Sequence, residues 1–161
     1  MRQLLDGLML VSGNDAANTL ADGLGGYQAA VARMNAKALA LGARNTHASS
    51  PSGLDGPGME SVTTPFDLAV IYRAALRHPA FAAIVRQPSS LFPTDDGPQE
   101  IVNQNELLKH YPGTLVGKTG FTNLAQHTFV GAAQRNGHSL VVVQMYGSGD
   151  MYGLSVSSTI L

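Results

Sequence analysis

The sequence predicts an α+β chain, with helices first and a short antiparallel sheet last. Three observations carry that reading. Apolar residues recur at helical spacing through most of the first 110 residues. Three β-rich runs are confined to 115–146. Asn136-Gly137, a strong hairpin dipeptide, separates the last two of those runs.

Leu4, Leu5, Leu8, Met9 and Val11 predict a buried helix over 3–11, which Ser12-Gly13-Asn14-Asp15 interrupts with turn and N-cap residues. A second helix follows from about Asp15 to Leu24, with Ala16, Ala17, Leu20, Ala21 and Leu24 packed and Gly25-Gly26 as its stop. A third covers about 27–41, with Val31, Met34, Ala38 and Leu41 inward. Residues 43–63 lose periodicity, and 49–58 is rich in Ser, Gly and Pro, a loop long enough to be functional or partly mobile. Thr64-Pro65-Phe66-Asp67 restarts a helix with a Thr cap and Pro at the first position, ending by His78-Pro79. An apolar turn at Phe81–Val85, an irregular stretch at 88–98 and a short helix at 103–110 come next. Strands are expected at 115–121, 128–134 and 139–146. Residues 147–161 fit neither period and stay an unassigned tail.

Composition narrows the function. Of the 161 residues 44% are hydrophobic and 13% charged, which marks a globular chain, and the net charge of −1 offers no nucleic-acid footprint. With no cysteine, thiol catalysis and cysteine metal sites are excluded. The five histidines, His47, His78, His110, His127 and His138, show no ligand spacing, so neither metal nor cofactor is expected. No apolar run reaches the roughly 18 residues that span a bilayer, and the N-terminus does not read as a signal peptide.

Two motifs could carry chemistry. Lys118-Thr119-Gly120 places a cation, a hydroxyl and a residue without a side chain in succession on a strand, the components of an anion clamp. Ser12-Gly13-Asn14 aims two hydrogen-bonding side chains from one tight turn. Bland readings exist for both: Ser12 or Asn14 could cap the next helix, and Lys118 could be a solvated strand lysine.

Together and in this order the motifs resemble the serine penicillin-recognising enzymes, which share Ser-x-x-Lys, Ser-x-Asn and Lys-Thr-Gly. More narrowly, the chain resembles the D-alanyl-D-alanine carboxypeptidases of peptidase family S11, and its wording is closest to actinobacterial members. The matching runs lie between about residues 2 and 146. They include Leu4 to Ala17, Met34-Asn35-Ala36-Lys37-Ala38, Pro51-Ser52-Gly53-Leu54-Asp55, Asn103 to Leu108, Tyr111-Pro112-Gly113 and Gly117 to Thr122.

The resemblance implies a partial serine β-lactamase/transpeptidase-like fold over 1–146, helical over about 1–110 and a three-stranded meander over about 111–146. It also implies cleavage of the terminal D-alanine from peptidoglycan stem peptides through an acyl-enzyme, β-lactams as inhibitors, and an extracytoplasmic location. Ser12 would relay a proton, Asn14 would hold a substrate amide, and Lys118 and Thr119 would bind the terminal carboxylate. Gly120 would let the substrate lie against the strand Lys118–Thr122, and the Phe121 amide would face the oxyanion.

One element of the pattern is absent. The residues three before Lys37, Lys109 and Lys118 are Met34, Glu106 and Leu115, so no Ser-x-x-Lys occurs. The expectation is therefore a fragment, inactive alone, whose nucleophile helix, first two strands and export signal would precede Met1. Gln126 also stands where many members have glycine. A serine β-lactamase shares two of the motifs, but the Glu-x-x-Leu-Asn string of its class A follows none of Glu60, Glu100 or Glu106. A non-catalytic peptidoglycan- or penicillin-binding protein that keeps the clamp is the remaining alternative.

Overall fold

A computed structural model describes residues 1–147, and the tail from 148 to 161 lies outside the described residues. The helices are α1 (Arg2–Val11), α2 (Asn14–Gly23), α3 (Tyr27–Ala40), α4 (Pro65–Ala75), α5 (Pro79–Val85) and α6 (Leu107–His110). The strands are β1 (Ser89–Phe92), β2 (Gln99–Val102), β3 (Thr114–Thr122), β4 (Gln126–Arg135) and β5 (His138–Gly147). The last three form an antiparallel sheet in the order β3-β4-β5, so β3 is an edge strand. No single helix among the described residues is long and apolar enough to cross a membrane.

Local chemistry explains the main boundaries. The Thr64 hydroxyl accepts from the Asp67 amide at 3.1 Å, and Pro65 opens α4. The buried Asp67 carboxylate then accepts from the Asn45 amide at 2.7 Å and from the Thr46 hydroxyl at 3.1 Å, fixing where the long loop begins. Between β4 and β5, Asn136 and Gly137 both have positive φ (51° and 79°), as a two-residue hairpin requires, and Arg135 pairs with His138. The turn from β3 to β4 ends at Gln126 with φ 55°. That is left-handed backbone, where glycine would fit without strain.

The core lies between the sheet and the helices. Tyr72 and Val85 pack on Val116, Val130 and Ala132, flanked by Met9, Leu68, Phe81, Val141 and Val143. By contrast α3 buries only Ala30 and Ala38, and Met34, expected inward, is 40% exposed. Leu24 likewise turns outward.

Residues 88–98 are not wholly irregular. β1 pairs antiparallel with β2, from Ser89↔Val102 to Phe92↔Gln99, so a two-stranded hairpin stands within the part read as helical. Its turn, which exposes Asp95 and Asp96, closes with the Gly97 amide on the Thr94 carbonyl. Such short strands carry little pattern of their own, and tertiary contacts hold them. The Phe92 ring lies so close to α1 that a Cβ on Gly7 would sit 3.0 Å from it. Asp6, 5% exposed, accepts from Arg2 Nε (3.1 Å), Gln87 Nε2 (3.0 Å) and Ser90 Oγ (3.2 Å).

The short helix expected at 103–110 begins only at Leu107. Asn103 and Asn105 are buried before it, and the Asn103 side chain accepts from the Asn105 amide at 2.9 Å. This turn delivers Gln104, whose amide donates to the Leu10 carbonyl at 3.0 Å, to the end of α1.

Asp6→Ala leaves the Gln87 and Ser90 donors without their acceptor and unfastens the hairpin from α1. We expect it to lower unfolding free energy by about 2–3 kcal/mol in urea denaturation. A change below about 0.5 kcal/mol would remove Asp6 from this role.

Candidate active site

α1 ends in a reversed turn that presents Ser12, the residue just past the helix. Gly13 donates its amide to the Gly7 carbonyl at 3.0 Å, and Ser12 adopts φ 58°, ψ 37°. Helices commonly stop this way with glycine in the left-handed position. A serine there bears roughly 1–2 kcal/mol of steric cost, and such outliers concentrate where a side chain has a task. The capping alternative for Ser12 and Asn14 is not what forms. Gly13 is the N-cap of α2, and the first-turn amide of Ala16 donates to Asp15 Oδ1 at 2.9 Å, not to Ser12 or Asn14. Asn14 is its first residue and is exposed.

The strained turn meets the middle of β3. Lys118 Nζ donates to Ser12 Oγ and to the Thr119 carbonyl, the latter at 2.6 Å. An ammonium has three donors, so one remains. Among the described residues Lys118 has no ion-pair partner. Burial disfavours the uncompensated charge and pushes the amine down from 10.5 to about 8. The result is a cation next to an edge strand that lacks an anion.

Gln104 completes the cluster, and the sequence motifs did not single it out. Its Oε1 lies 3.4 Å from both Ser12 Oγ and Thr119 Oγ1. One carbonyl oxygen thus draws two hydroxyl protons to the same point and leaves the Ser12 lone pairs towards Lys118. The signal in the sequence was its place in the matching run Asn103 to Leu108, which gives no hint of this contact.

The rest of the predicted strand divides by role. A Cβ on Gly120 would lie 2.6 Å from Thr128 Oγ1, so glycine is needed there for strand packing as well as for an open edge. A Cβ on Gly117 would lie 2.6 Å from Asn105 Cγ, which ties the strand to the turn bearing Gln104. Phe121 is 55% exposed, and its ring lies 4.6 Å from that of His127, its partner across the strands. Thr122 Oγ1 contacts Asp55 Oδ2 at 2.5 Å and accepts from the Ala125 amide at 3.0 Å. Ser12, Lys118 and Thr119 are therefore brought together, Asn14 lies two residues beyond Ser12, and Phe121 and Thr122 continue the strand.

A cavity of about 290 Å³ opens elsewhere, at the β4–β5 hairpin, lined by Tyr111, Ala133, Arg135, Asn136, His138 and Leu140. It shares no residue with the Lys118 cluster. Among the described residues no three His, Asp or Glu side chains gather as metal ligands.

Comparison with known proteins fits this geometry. Residues 1–149 match the family model described as D-alanyl-D-alanine carboxypeptidase, Peptidase S11. The chain is 63% identical over 146 residues to the D-alanyl-D-alanine carboxypeptidase DacB2 of Mycobacterium tuberculosis, covering 91% of this chain and 50% of that protein. A crystal structure of a D-alanyl-D-alanine carboxypeptidase from M. tuberculosis superimposes with a TM-score of 0.89 at 62% identity, covering 92% of this chain and 56% of the other. Penicillin-binding protein D2 of Listeria monocytogenes, in its cefotaxime-bound form, gives 0.87 at 30% identity, covering 98% and 63%. The chain spans about half the length, or less, of the curated relatives it matches. The helices with an antiparallel three-stranded sheet are the α+β arrangement that these structures share.

Two outcomes follow from the site itself. Ser12→Gly relieves the left-handed strain and should stabilise the fold by about 1 kcal/mol in denaturant titration, while removing the hydroxyl that Lys118 contacts. Destabilisation would show that Ser12 is not strained. Lys118 is charged below about 8, so affinity for a small carboxylate should hold near pH 7 and fall as pH rises through that value. Affinity unchanged from pH 7 to 10 by NMR titration would exclude Lys118 as the clamp.

Proposed function

Because the chain belongs to the D-alanyl-D-alanine carboxypeptidase family, peptidase family S11, we propose that it forms the substrate-holding wall of a serine carboxypeptidase. The enzyme would remove the terminal D-alanine of peptidoglycan stem peptides. The observation that carries this reading is the half-buried Lys118 ammonium, bonded to Ser12 and without an ion-pair partner among the described residues, on an open strand edge.

In this reading the substrate carboxylate takes the remaining Lys118 donor and replaces Gln104 Oε1 as the acceptor of the Thr119 hydroxyl. The peptide adds antiparallel to β3, and Gly120 presents no side chain against it. Asn14 holds the substrate's amide. An amine brought down to about 8 beside Ser12 Oγ suits a relay that carries a proton towards the departing D-alanine nitrogen. The Phe121 amide serves the oxyanion. β-Lactams, which present a carboxylate and a strained amide, would occupy the same wall, and the reaction belongs on the extracytoplasmic side, where stem peptides are trimmed.

Acylation needs a serine positioned by a lysine, and the 161 residues contain no Ser-x-x-Lys. Binding and catalysis should therefore separate in this chain. We expect an Nα-acetylated peptide ending in D-Ala-D-Ala to bind non-covalently by calorimetry, and Lys118→Ala to weaken it by at least tenfold. A labelled penicillin should leave no adduct after denaturation. A denaturation-resistant adduct would overturn the division of roles, and binding unaffected by Lys118→Ala would overturn the clamp.

A further inference from the structure

We infer that the cavity at the β4–β5 hairpin is a second binding site, which takes a small organic anion: a carboxylate carried on a flat apolar body. The site lies apart from the Lys118 wall. Arg135, on its rim, is five residues along β4 from Val130, the partner of Lys118. At about 3.4 Å per residue, the two positions stand roughly 17 Å apart along the sheet.

Strand pairing assembles most of the site on one face of the sheet. Ala133 and Arg135 are two apart on β4, so their side chains leave the same side, and their partners on β5 are Leu140 and His138. Ala133 is the buried member of the lining, and Leu140 is an apolar wall left 54% exposed. Arg135, Asn136 and His138 are exposed and supply the polar groups. The remaining wall is Tyr111, first residue of the Tyr111-Pro112-Gly113 run, to which the Lys118 wall gives no task.

That run is fixed against the hairpin. The Gly113 carbonyl accepts from the Gln134 amide at 2.8 Å. Gly113 has φ 96°, and a Cβ on it would collide with the Gln134 carbonyl oxygen, so glycine is required twice over. The Tyr111 carbonyl accepts from the Thr114 amide at 3.1 Å and from the Thr114 hydroxyl at 2.8 Å. Tyr111 is thereby held beside Arg135, and the cavity of about 290 Å³ is preformed. A ligand is spared the entropy of ordering its walls.

Charge decides the head group of the ligand. Glu106 is the one acidic residue in the sequence from 103 to 147, and Lys109 and His110 hold it. Arg135 forms no ion pair among the described residues. Its guanidinium carbon stands 5.9 Å from the Tyr111 ring centroid, near the outer limit of a cation–π contact. A guanidinium held so loosely can turn its planar N–H fork to a carboxylate. The body of the ligand follows from the walls, since Leu140, Ala133 and the Tyr111 ring offer apolar surface on which a plane can lie. The volume is at the low end for small-molecule pockets and suits one ring with its head group.

The test uses the full 161-residue chain, benzoate as the probe and amide NMR as the readout. Benzoate should shift the amides of Tyr111 and of residues 133–140 saturably. Acetate, a head group without a body, and benzyl alcohol, a body without a charge, should each bind there about threefold or more weakly. Arg135→Gln, at an exposed position, should weaken benzoate at these amides by about three- to tenfold and leave the shifts around Lys118 as they were. Leu140→Ser should weaken benzoate but not acetate, which separates apolar contact from charge. Three results would each overturn the second site: no saturable shift at the hairpin, equal binding of benzoate and benzyl alcohol, or undiminished benzoate binding in Arg135→Gln. Benzoate shifts confined to the amides around Lys118 would do the same and leave the clamp standing.

Discussion

A lysine ammonium is half-buried where no carboxylate among the described residues meets it, and much of the structure serves to hold it there. Lys118 sits on an edge strand whose neighbours, Val116 and Val130, belong to the core, so its backbone cannot shift without opening the sheet. Its head group is positioned by a hydroxyl from α1 and a carbonyl from its own strand. α1 in turn is fixed by Asp6 and by the Gln104 amide on Leu10. Anchoring of this kind keeps the charge from relaxing into solvent.

Local costs gather around that charge. Ser12 occupies left-handed backbone, Lys118 is partly desolvated without an ion pair among the described residues, and the Asn105 side-chain amide behind Gly117 is buried with neither its donor nor its acceptor satisfied there. Each costs on the order of 1–3 kcal/mol. The core between the sheet and α4–α5 offsets them. A site that binds by supplying what a ligand lacks is necessarily less comfortable when empty, since its polar groups were not arranged to satisfy one another.

How much of this could be read beforehand depended on where the information lay. The helices were legible because their apolar faces repeat, and α4 and the β4–β5 turn because Thr64-Pro65 and Asn136-Gly137 act locally. Ser12 and Lys118 were legible as a pair only through the resemblance, since each alone had an ordinary explanation. The β1–β2 hairpin was missed because four-residue strands depend on Phe92 meeting Gly7 and Ser90 meeting Asp6, contacts made far along the chain. Gln104 was missed for a related reason, as its role exists only where three separate segments converge. Met34 was misplaced because α3 lies against one neighbour and needs only a narrow stripe of alanine.

The link between Ser12 and Lys118 joins residues 106 apart in the chain, and this bears on how the protein reaches its folded state. Helices and the sheet meander close over short sequence distances and can form early, whereas so distant a contact carries the entropy of a large loop. Neither half can assemble the ammonium–hydroxyl pair by itself. The pair is therefore a late event, present only when helices and sheet have docked in register. A partly folded chain displays its apolar faces without the Lys118–Ser12 pair, so that single contact doubles as a readout of completed folding.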